Sequence, residues 1–197
     1  QSDGGIHAPT IRYHKGTFYI ITTNVYNSGD GKPGLMRNFV ITAKDPSGPW
    51  SEPHIIEGAP GIDPDIFFDT DGKVYFTGTH SPGDMNANGI GEIWIQELDI
   101  KKWKLTGDRK TVWDGVFGCC TEGPHIYKEH GLYYLLVAEG GTGKNHAVMM
   151  AASKDIFGPY EENQRNPVLT TRHVTNDYFV NSIGHADMIQ LPDSRWY

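Results

Sequence analysis

The feature that most limits how this chain can fold is an internal repeat, in which one short unit occurs four times. Each unit opens with a small or polar residue, usually followed by proline, and continues with an apolar or aromatic run, a turn and an aromatic strand. The four copies are 8–19, 63–75, 123–134 and 185–197. The second position of each copy is Pro9, Pro64, Pro124 or Ala186. Successive second positions are 55, 60 and 62 residues apart. Such a repeat predicts one structural unit per copy, each packed against its neighbours.

Turn signals inside the repeat indicate β-hairpins. Lys15-Gly16, Asp71-Gly72 and His130-Gly131 each separate two strand-like runs. Further strand-like runs follow the hairpins, at 36–44, 91–99 and 146–154. Roughly four strands per period, with no amphipathic helix, are typical of β-propeller blades with long loops. A meander or sandwich with chance similarity is the alternative, and the alignment of four units argues against it.

We therefore predict an all-β propeller, of which residues 1–180 hold three blades and residues 181–197 the first hairpin of a fourth. Propellers close with about 4–8 blades. Because three blades and a hairpin do not close a ring, we expect the remaining blades to lie outside these 197 residues.

Composition supports a packed domain and argues against two classes of partner. Hydrophobic residues make up 38% and charged residues 21% of the chain, which is enough for a core and not typical of disorder. The net charge of -7 argues against nucleic acid and against anionic membranes. No apolar run is long enough to span a bilayer, so we predict neither a nucleic-acid nor a membrane partner.

The two cysteines, Cys119 and Cys120, are adjacent in the sequence. Neighbouring Cα atoms lie about 3.8 Å apart, below the usual disulfide range, so a bridge between them would be strained. Neither cysteine has the spacing of a zinc site. We interpret the pair as two packed thiols.

Ionisable residues occur where successive units begin. The innermost strand of a propeller blade lines the central channel, and the residue that opens it faces the channel mouth. The opening positions here are His7/Ala8, Asp63, Glu122/Gly123 and His185. Because equivalent positions converge, two carboxylates and an imidazole are expected to form one site. A partly desolvated Glu beside another negative charge has a raised pKa and can act as an acid near neutral pH.

Each of these residues also has a purely structural interpretation. Asp63 could cap the turn before Pro64, and Glu122 could be a solvated loop residue. His185 could be a satisfied buried histidine, or it could hold a water or a cation. Asp65, Asp69 and Asp71 lack the distal Glu of an EF-hand and are interpreted as part of a hairpin. The glycine-rich run that begins at Glu139 lacks the strand–helix context of a phosphate site and is interpreted as a blade loop near the channel.

Several of these segments together resemble glycoside hydrolase family 43. The general-acid segment of that family is similar to Thr121-Glu-Gly-Pro-His125, followed by 133–136 and 138–142. Other segments resemble the family in the same order along the chain; they are 8–14, 61–65, 166–170 and 184–187. The match covers nearly the whole chain.

The resemblance implies a five-bladed propeller that cleaves glycosides with inversion through three carboxylic residues. It implies that Glu122 is the general acid and that Asp63 tunes the pKa of the acid and orients it. The segment that carries the general base Asp would precede Gln1, so the base is expected to lie outside this chain. The blades would be blade two (1–60), blade three (61–120), blade four (121–180) and the start of blade five (181–197).

The resemblance also implies the substrates. A β-xylosidase that acts on xylo-oligosaccharides is the leading expectation, and an α-L-arabinofuranosidase or bifunctional enzyme acting on arabinoxylan side chains is the alternative. A non-catalytic carbohydrate-binding propeller is the alternative from another class. His7, Ala8 and His185 are expected to contact substrate, although His7 stands where the family often has an aromatic residue. No cofactor is expected to be required; His185 is a candidate metal ligand, and a structural calcium at the propeller axis is possible.

Overall fold

The computed structural model describes residues 4–26, 35–117, 119–174 and 179–197. In these ranges the chain forms β-strands and connecting loops, without an α-helix. Accordingly, the described residues contain no helix that could cross a membrane. The regular structure consists of three antiparallel sheets that follow one another along the chain.

Each sheet is built from consecutive strands. The first contains β1 (Gly5–His14), β2 (Thr17–Tyr26), β3 (Leu35–Ala43) and β4 (His54–Ile55). The second contains β5 (Asp65–Phe68), β6 (Val74–His80), β7 (Glu92–Asp99) and β8 (Lys104–Trp113). The third contains β9 (Glu122–Glu129), β10 (Leu132–Glu139), β11 (Ala147–Ser153) and β12 (Glu161–Glu162), and β13 (Leu169–Thr170) pairs with β11. The strand order 1-2-3-4 within each sheet is that of a propeller blade.

The predicted hairpins open the three sheets, and the last repeat copy is also paired. β1 and β2 join at Lys15-Gly16, β5 and β6 at 69–73, and β9 and β10 at His130-Gly131. Near the end of the chain, Ile189 and Tyr197 exchange two backbone hydrogen bonds of 2.8 and 2.9 Å. The assignment of these units to blades two to five, parts of which fall outside the described residues, stays a prediction.

The sheets pack face to face, and this arrangement explains the apolar strands of the second sheet. Every residue of β6 is buried, because the first sheet covers one face and the third sheet covers the other. Phe76 and Trp94, both fully buried, stack with ring centroids 4.8 Å apart. On the far face of the third sheet, Met188 and Trp196 of the last repeat pack against Tyr127 and its neighbours.

The opening positions of the repeat share an unusual backbone conformation. The φ angles are positive at all four; they are 39° at Ala8, 56° at Asp63, 58° at Gly123 and 52° at His185. A left-handed conformation is costly for residues with a Cβ and is often retained at functional sites. At Ala8 it coincides with the shift in register of β1 between His7 and Thr10, and the same conformation recurs in each unit where the candidate residues lie.

Candidate active site

Asp63 and the backbone beside Glu122 are in direct contact. The backbone N–H of Gly123 donates a hydrogen bond of 3.2 Å to Oδ2 of Asp63, and Nε2 of His185 lies 3.8 Å from the same oxygen. Residues from three repeat copies, about 60 positions apart, therefore meet at one point. The structure brings together the backbone next to the predicted acid, the predicted tuning residue and the predicted channel histidine.

Asp63 is a buried carboxyl group with little direct hydrogen bonding. Only 5% of the residue is exposed. Burial raises the pKa of Asp63 to about 6, although the Gly123 N–H and the nearby imidazoles of His7 and His125 favour the charged form. Asp63 is therefore ionised above about pH 6, where it places a negative charge beside Glu122.

Glu122, the first residue of β9, is 8% exposed. Burial raises the pKa of Glu122 to about 7, the negative charge of Asp63 raises it further in the same direction, and His146 opposes the shift. A carboxyl group with a pKa near 7 keeps its proton at pH values where ordinary Glu side chains have lost theirs. Glu122 thus has the ionisation behaviour that a general acid requires.

His185 packs closely against the backbone of the acid segment. A Cβ at Gly123 would collide with the His185 ring, and the φ of 58° also favours glycine, so both space and conformation require Gly123. Burial, together with His125 and His146, lowers the pKa of His185 to about 4. His185 is therefore neutral at physiological pH, and it can offer hydrogen bonds there but no positive charge.

A cavity of about 150 Å³ lies where the inner strands converge, and it contains Ala8 and His185 among its lining residues. His125 and Asp187 also line it. Nε2 of His7 lies 3.0 Å from the carbonyl of Gly4. The substrate contacts predicted for His7, Ala8 and His185 stay predictions.

The sequence analysis did not predict the contacts of two further groups near Glu122. The buried carboxylate of Glu139 accepts hydrogen bonds from the backbone N–H groups of Val116 (2.5 Å) and Phe117 (3.0 Å), and so anchors the loop that precedes Glu122. His146 is 6% exposed, and its Nδ1 lies 3.0 Å from the carbonyl of Ser182. The glycine-rich run indicated only that Glu139 lies in a loop near the channel, and no sequence signal pointed to His146.

A partly buried ionic network, which was not predicted from the sequence, connects the inner strands. Arg12 donates to Asp65 (2.5 Å) and to Asp187 (2.8 Å). Nδ1 of His125 lies 3.0 Å from Asp65, and the hydroxyl of Tyr127 donates to Asp187 (2.5 Å). These contacts join β1, β5, β9 and the last repeat copy close to the positions that open each inner strand. Asp65 is therefore more than part of a surface hairpin.

We expect Asp65→Asn to lower the free energy of unfolding by about 1.5–3 kcal/mol at pH 7, because it removes the buried one of the two carboxylates that pair with the partly buried Arg12 guanidinium. Burial alone would raise the pKa of Asp65, but Arg12 and His125 outweigh it and hold the pKa below its ordinary value. The stabilisation is therefore present above about pH 4 and is lost as the pH falls through the pKa of Asp65 in the folded state. Below that pKa, the wild type and Asp65→Asn should have similar free energies of unfolding.

Urea denaturation of the whole protein at several pH values measures this difference. Glu97→Gln is the matched control, because Glu97 pairs with Lys73 in an exposed ion pair of 2.9 Å and little change is expected. Equal stability of Asp65→Asn and the wild type at pH 7 would show that the network does not hold the inner strands together.

The described residues do not form a calcium site around His185. Within the described ranges, no cluster of three or more His, Cys, Asp or Glu side chains could hold a metal ion. Calcium takes six to eight oxygen ligands, whereas the cavity offers imidazoles and the carboxylate of Asp187, whose two oxygens bind Arg12 and Tyr127. The role of His185 as a metal ligand stays a prediction, and no step below uses a metal.

Comparison with known proteins places the chain in a family. The model of glycosyl hydrolases family 43 matches residues 1–197. The chain belongs to that family. The family resemblance and the all-β, five-bladed propeller class predicted from the sequence are thereby confirmed.

Similar proteins include glycosidases of two specificities. A xylosidase/arabinosidase of Butyrivibrio fibrisolvens is 48% identical over 98% of this chain and 37% of the relative. A non-reducing end α-L-arabinofuranosidase of Bacteroides ovatus is 40% identical over 100% of this chain and 34% of the relative. The crystal structure of a xylan β-1,4-xylosidase from Bacillus halodurans superposes with a TM-score of 0.86 at 35% identity, over 99% of this chain and 37% of that one. The chain thus spans little more than a third of the length of these relatives.

Proposed function

We propose that the whole protein is an inverting glycoside hydrolase that releases xylose from β-xylosides and xylo-oligosaccharides. The observation that carries the proposal is the pair of buried carboxyl groups, in which the pKa of Glu122 is raised to about 7 by burial and by the charge of Asp63. A pure binding site does not need a protonated carboxyl group beside an ionised one. This favours catalysis over a non-catalytic carbohydrate-binding propeller.

Glu122 acts as the general acid in this proposal. It donates its proton to the glycosidic oxygen as the bond to the sugar breaks, which neutralises the negative charge that develops on the leaving group. A second carboxylate, about 6.5–9.5 Å away, removes a proton from the water that attacks the opposite face of the sugar. The product then has the inverted configuration at the anomeric carbon.

Asp63 is a poor candidate for the base that activates water. Its carboxylate is 5% exposed, and one of its oxygens accepts the Gly123 N–H. Its position suits a different role, which is to hold the acid segment and to keep the proton on Glu122. We propose, as the family resemblance implies, that an Asp outside this chain supplies the base.

Hydrolysis of nitrophenyl β-D-xyloside and of nitrophenyl α-L-arabinofuranoside by the whole protein tests the proposal. We expect a higher kcat/KM on the xyloside, and NMR should show α-xylose as the first anomer released from the β-xyloside. The names of the relatives support the arabinofuranosidase or bifunctional alternative as well, and a higher kcat/KM on the arabinofuranoside would favour it. Binding of xylo-oligosaccharides without turnover of either compound would instead indicate the carbohydrate-binding propeller.

A further inference from the structure

Cys119 and Cys120 place two reduced sulfur atoms side by side, directly before the candidate acid. Their Sγ atoms lie 2.7 Å apart, and both cysteines are free. Cys119 is exposed and Cys120 is partly exposed, so reagents in solution can reach the pair. The proposed hydrolysis uses neither thiol.

Described residues near this pair are held by hydrogen bonds. The carbonyl of Cys119 accepts a hydrogen bond from Gly140 N–H (3.3 Å), and the hydroxyl of Thr121 donates to the carbonyl of Asp114 (2.8 Å). Glu139 anchors the earlier part of the loop through two backbone N–H groups. Because Cys119 and Thr121 are both held by hydrogen bonds, the two sulfurs are partly preorganised, and a ligand that binds both loses less chain entropy.

A direct disulfide suits this pair poorly, and so does simple alkylation of Cys120. A bond between adjacent cysteines is strained because their Cα atoms are about 3.8 Å apart. The hydrogen bond with Cys119, burial and the charge of Glu122 raise the pKa of Cys120 to about 11, so little nucleophilic thiolate forms there near neutral pH. A single soft atom that bonds both sulfurs closes a larger ring and avoids the strained bond. Soft thiolate ligands favour soft, thiophilic centres.

We propose that Cys119 and Cys120 form a vicinal dithiol site that chelates trivalent organoarsenic compounds, and that its occupancy obstructs Glu122. With an organoarsenic oxide, two As–S bonds form while both S–H bonds and the As–O bond break. The two protons leave with the oxide oxygen as one molecule of water, and arsenic remains trivalent, so no oxidant is needed. We expect the obstruction because Cys120 lies two residues before Glu122. This part of the proposal rests on the proposed function, in which Glu122 is the general acid.

Phenylarsine oxide is the probe, and mass spectrometry of the whole protein and of the peptide that contains Cys119 and Cys120 is the readout. We expect one more adduct on the wild type than on the Cys119→Ser/Cys120→Ser double variant. The adduct should withstand 2-mercaptoethanol and be removed by 2,3-dimercaptopropanol, and each single serine variant should lose it. Equal adduct numbers on the wild type and the double variant, or an adduct that withstands 2-mercaptoethanol on a single variant, would overturn the site.

Activity on xylobiose, whose leaving group needs the proton of Glu122, tests the obstruction separately. We expect turnover of the wild type to fall about tenfold or more with the adduct, since displacing a catalytic group by about 1 Å can cost 10²-fold. The dithiol should restore turnover, and the double variant should be insensitive to the arsenical. An adduct that leaves turnover unchanged would overturn the obstruction. A protein that binds the probe but never hydrolyses a glycoside would contradict the proposed function, and the adduct count would still decide the dithiol site.

Discussion

Replacing Glu122 by Gln in the whole protein is expected to slow hydrolysis of xylobiose by about 10²–10⁴-fold, which is the usual contribution of a general acid. The loss should be much smaller on an aryl xyloside with a strongly activated leaving group, because such a group departs without a proton. Glutamine keeps the size of the side chain, so the fold should be retained. The ratio of the two losses, measured as kcat/KM for each substrate, is the diagnostic quantity.

Glu162→Gln is the matched control for this substitution. Glu162 lies on β12, it is exposed, and its replacement should leave both substrates unaffected. Equal losses on xylobiose and on the activated xyloside in Glu122→Gln would mean that Glu122 does not protonate the leaving group. Its raised pKa would then be only a consequence of burial.

Asp63→Asn is expected to shift the alkaline limb of the pH–rate profile to lower pH. Activity requires protonated Glu122, so it is lost as the pH rises through the pKa of about 7. Removing the negative charge of Asp63 lowers that pKa, while burial, the larger cause of the shift, keeps it above the ordinary value for Glu. At pH 7 a larger share of the enzyme would then lack the catalytic proton. Asn is the suitable replacement because it tolerates the left-handed conformation that Asp63 adopts, with a φ of 56°.

The full pH dependence of kcat/KM on xylobiose, which needs the proton of Glu122, measures this shift. Asp71→Asn is the control, because Asp71 is an exposed turn residue of the same repeat copy and its removal should leave the profile in place. If Asp63→Asn keeps both the alkaline limb and the maximal rate of the wild type, Asp63 only shapes the turn before Pro64. The interpretation of Asp63 as the residue that tunes the acid would then be wrong.

The repeat in the sequence determined much of the fold and the place of the site. Copies of one unit adopt the same local backbone, so the residues that open them reach equivalent places. This is why Asp63, Glu122 and His185 could be predicted to meet although they are about 60 residues apart. The hairpin turns could also be predicted from short stretches of sequence. Lys15-Gly16 and His130-Gly131 favour their turn conformations without help from the rest of the chain.

Only the tertiary structure decided the ionisation of the site and the contacts that surround it. The pKa values of Asp63, Glu122 and His185 depend on burial and on charges contributed by other repeat copies, which no local pattern contains. The pairing of Arg12 with Asp65 joins positions that are not equivalent in the repeat, so the repeat alignment could not reveal it. Desolvation and Coulomb energies are set by distances in three dimensions, whereas a repeat fixes only which positions are alike.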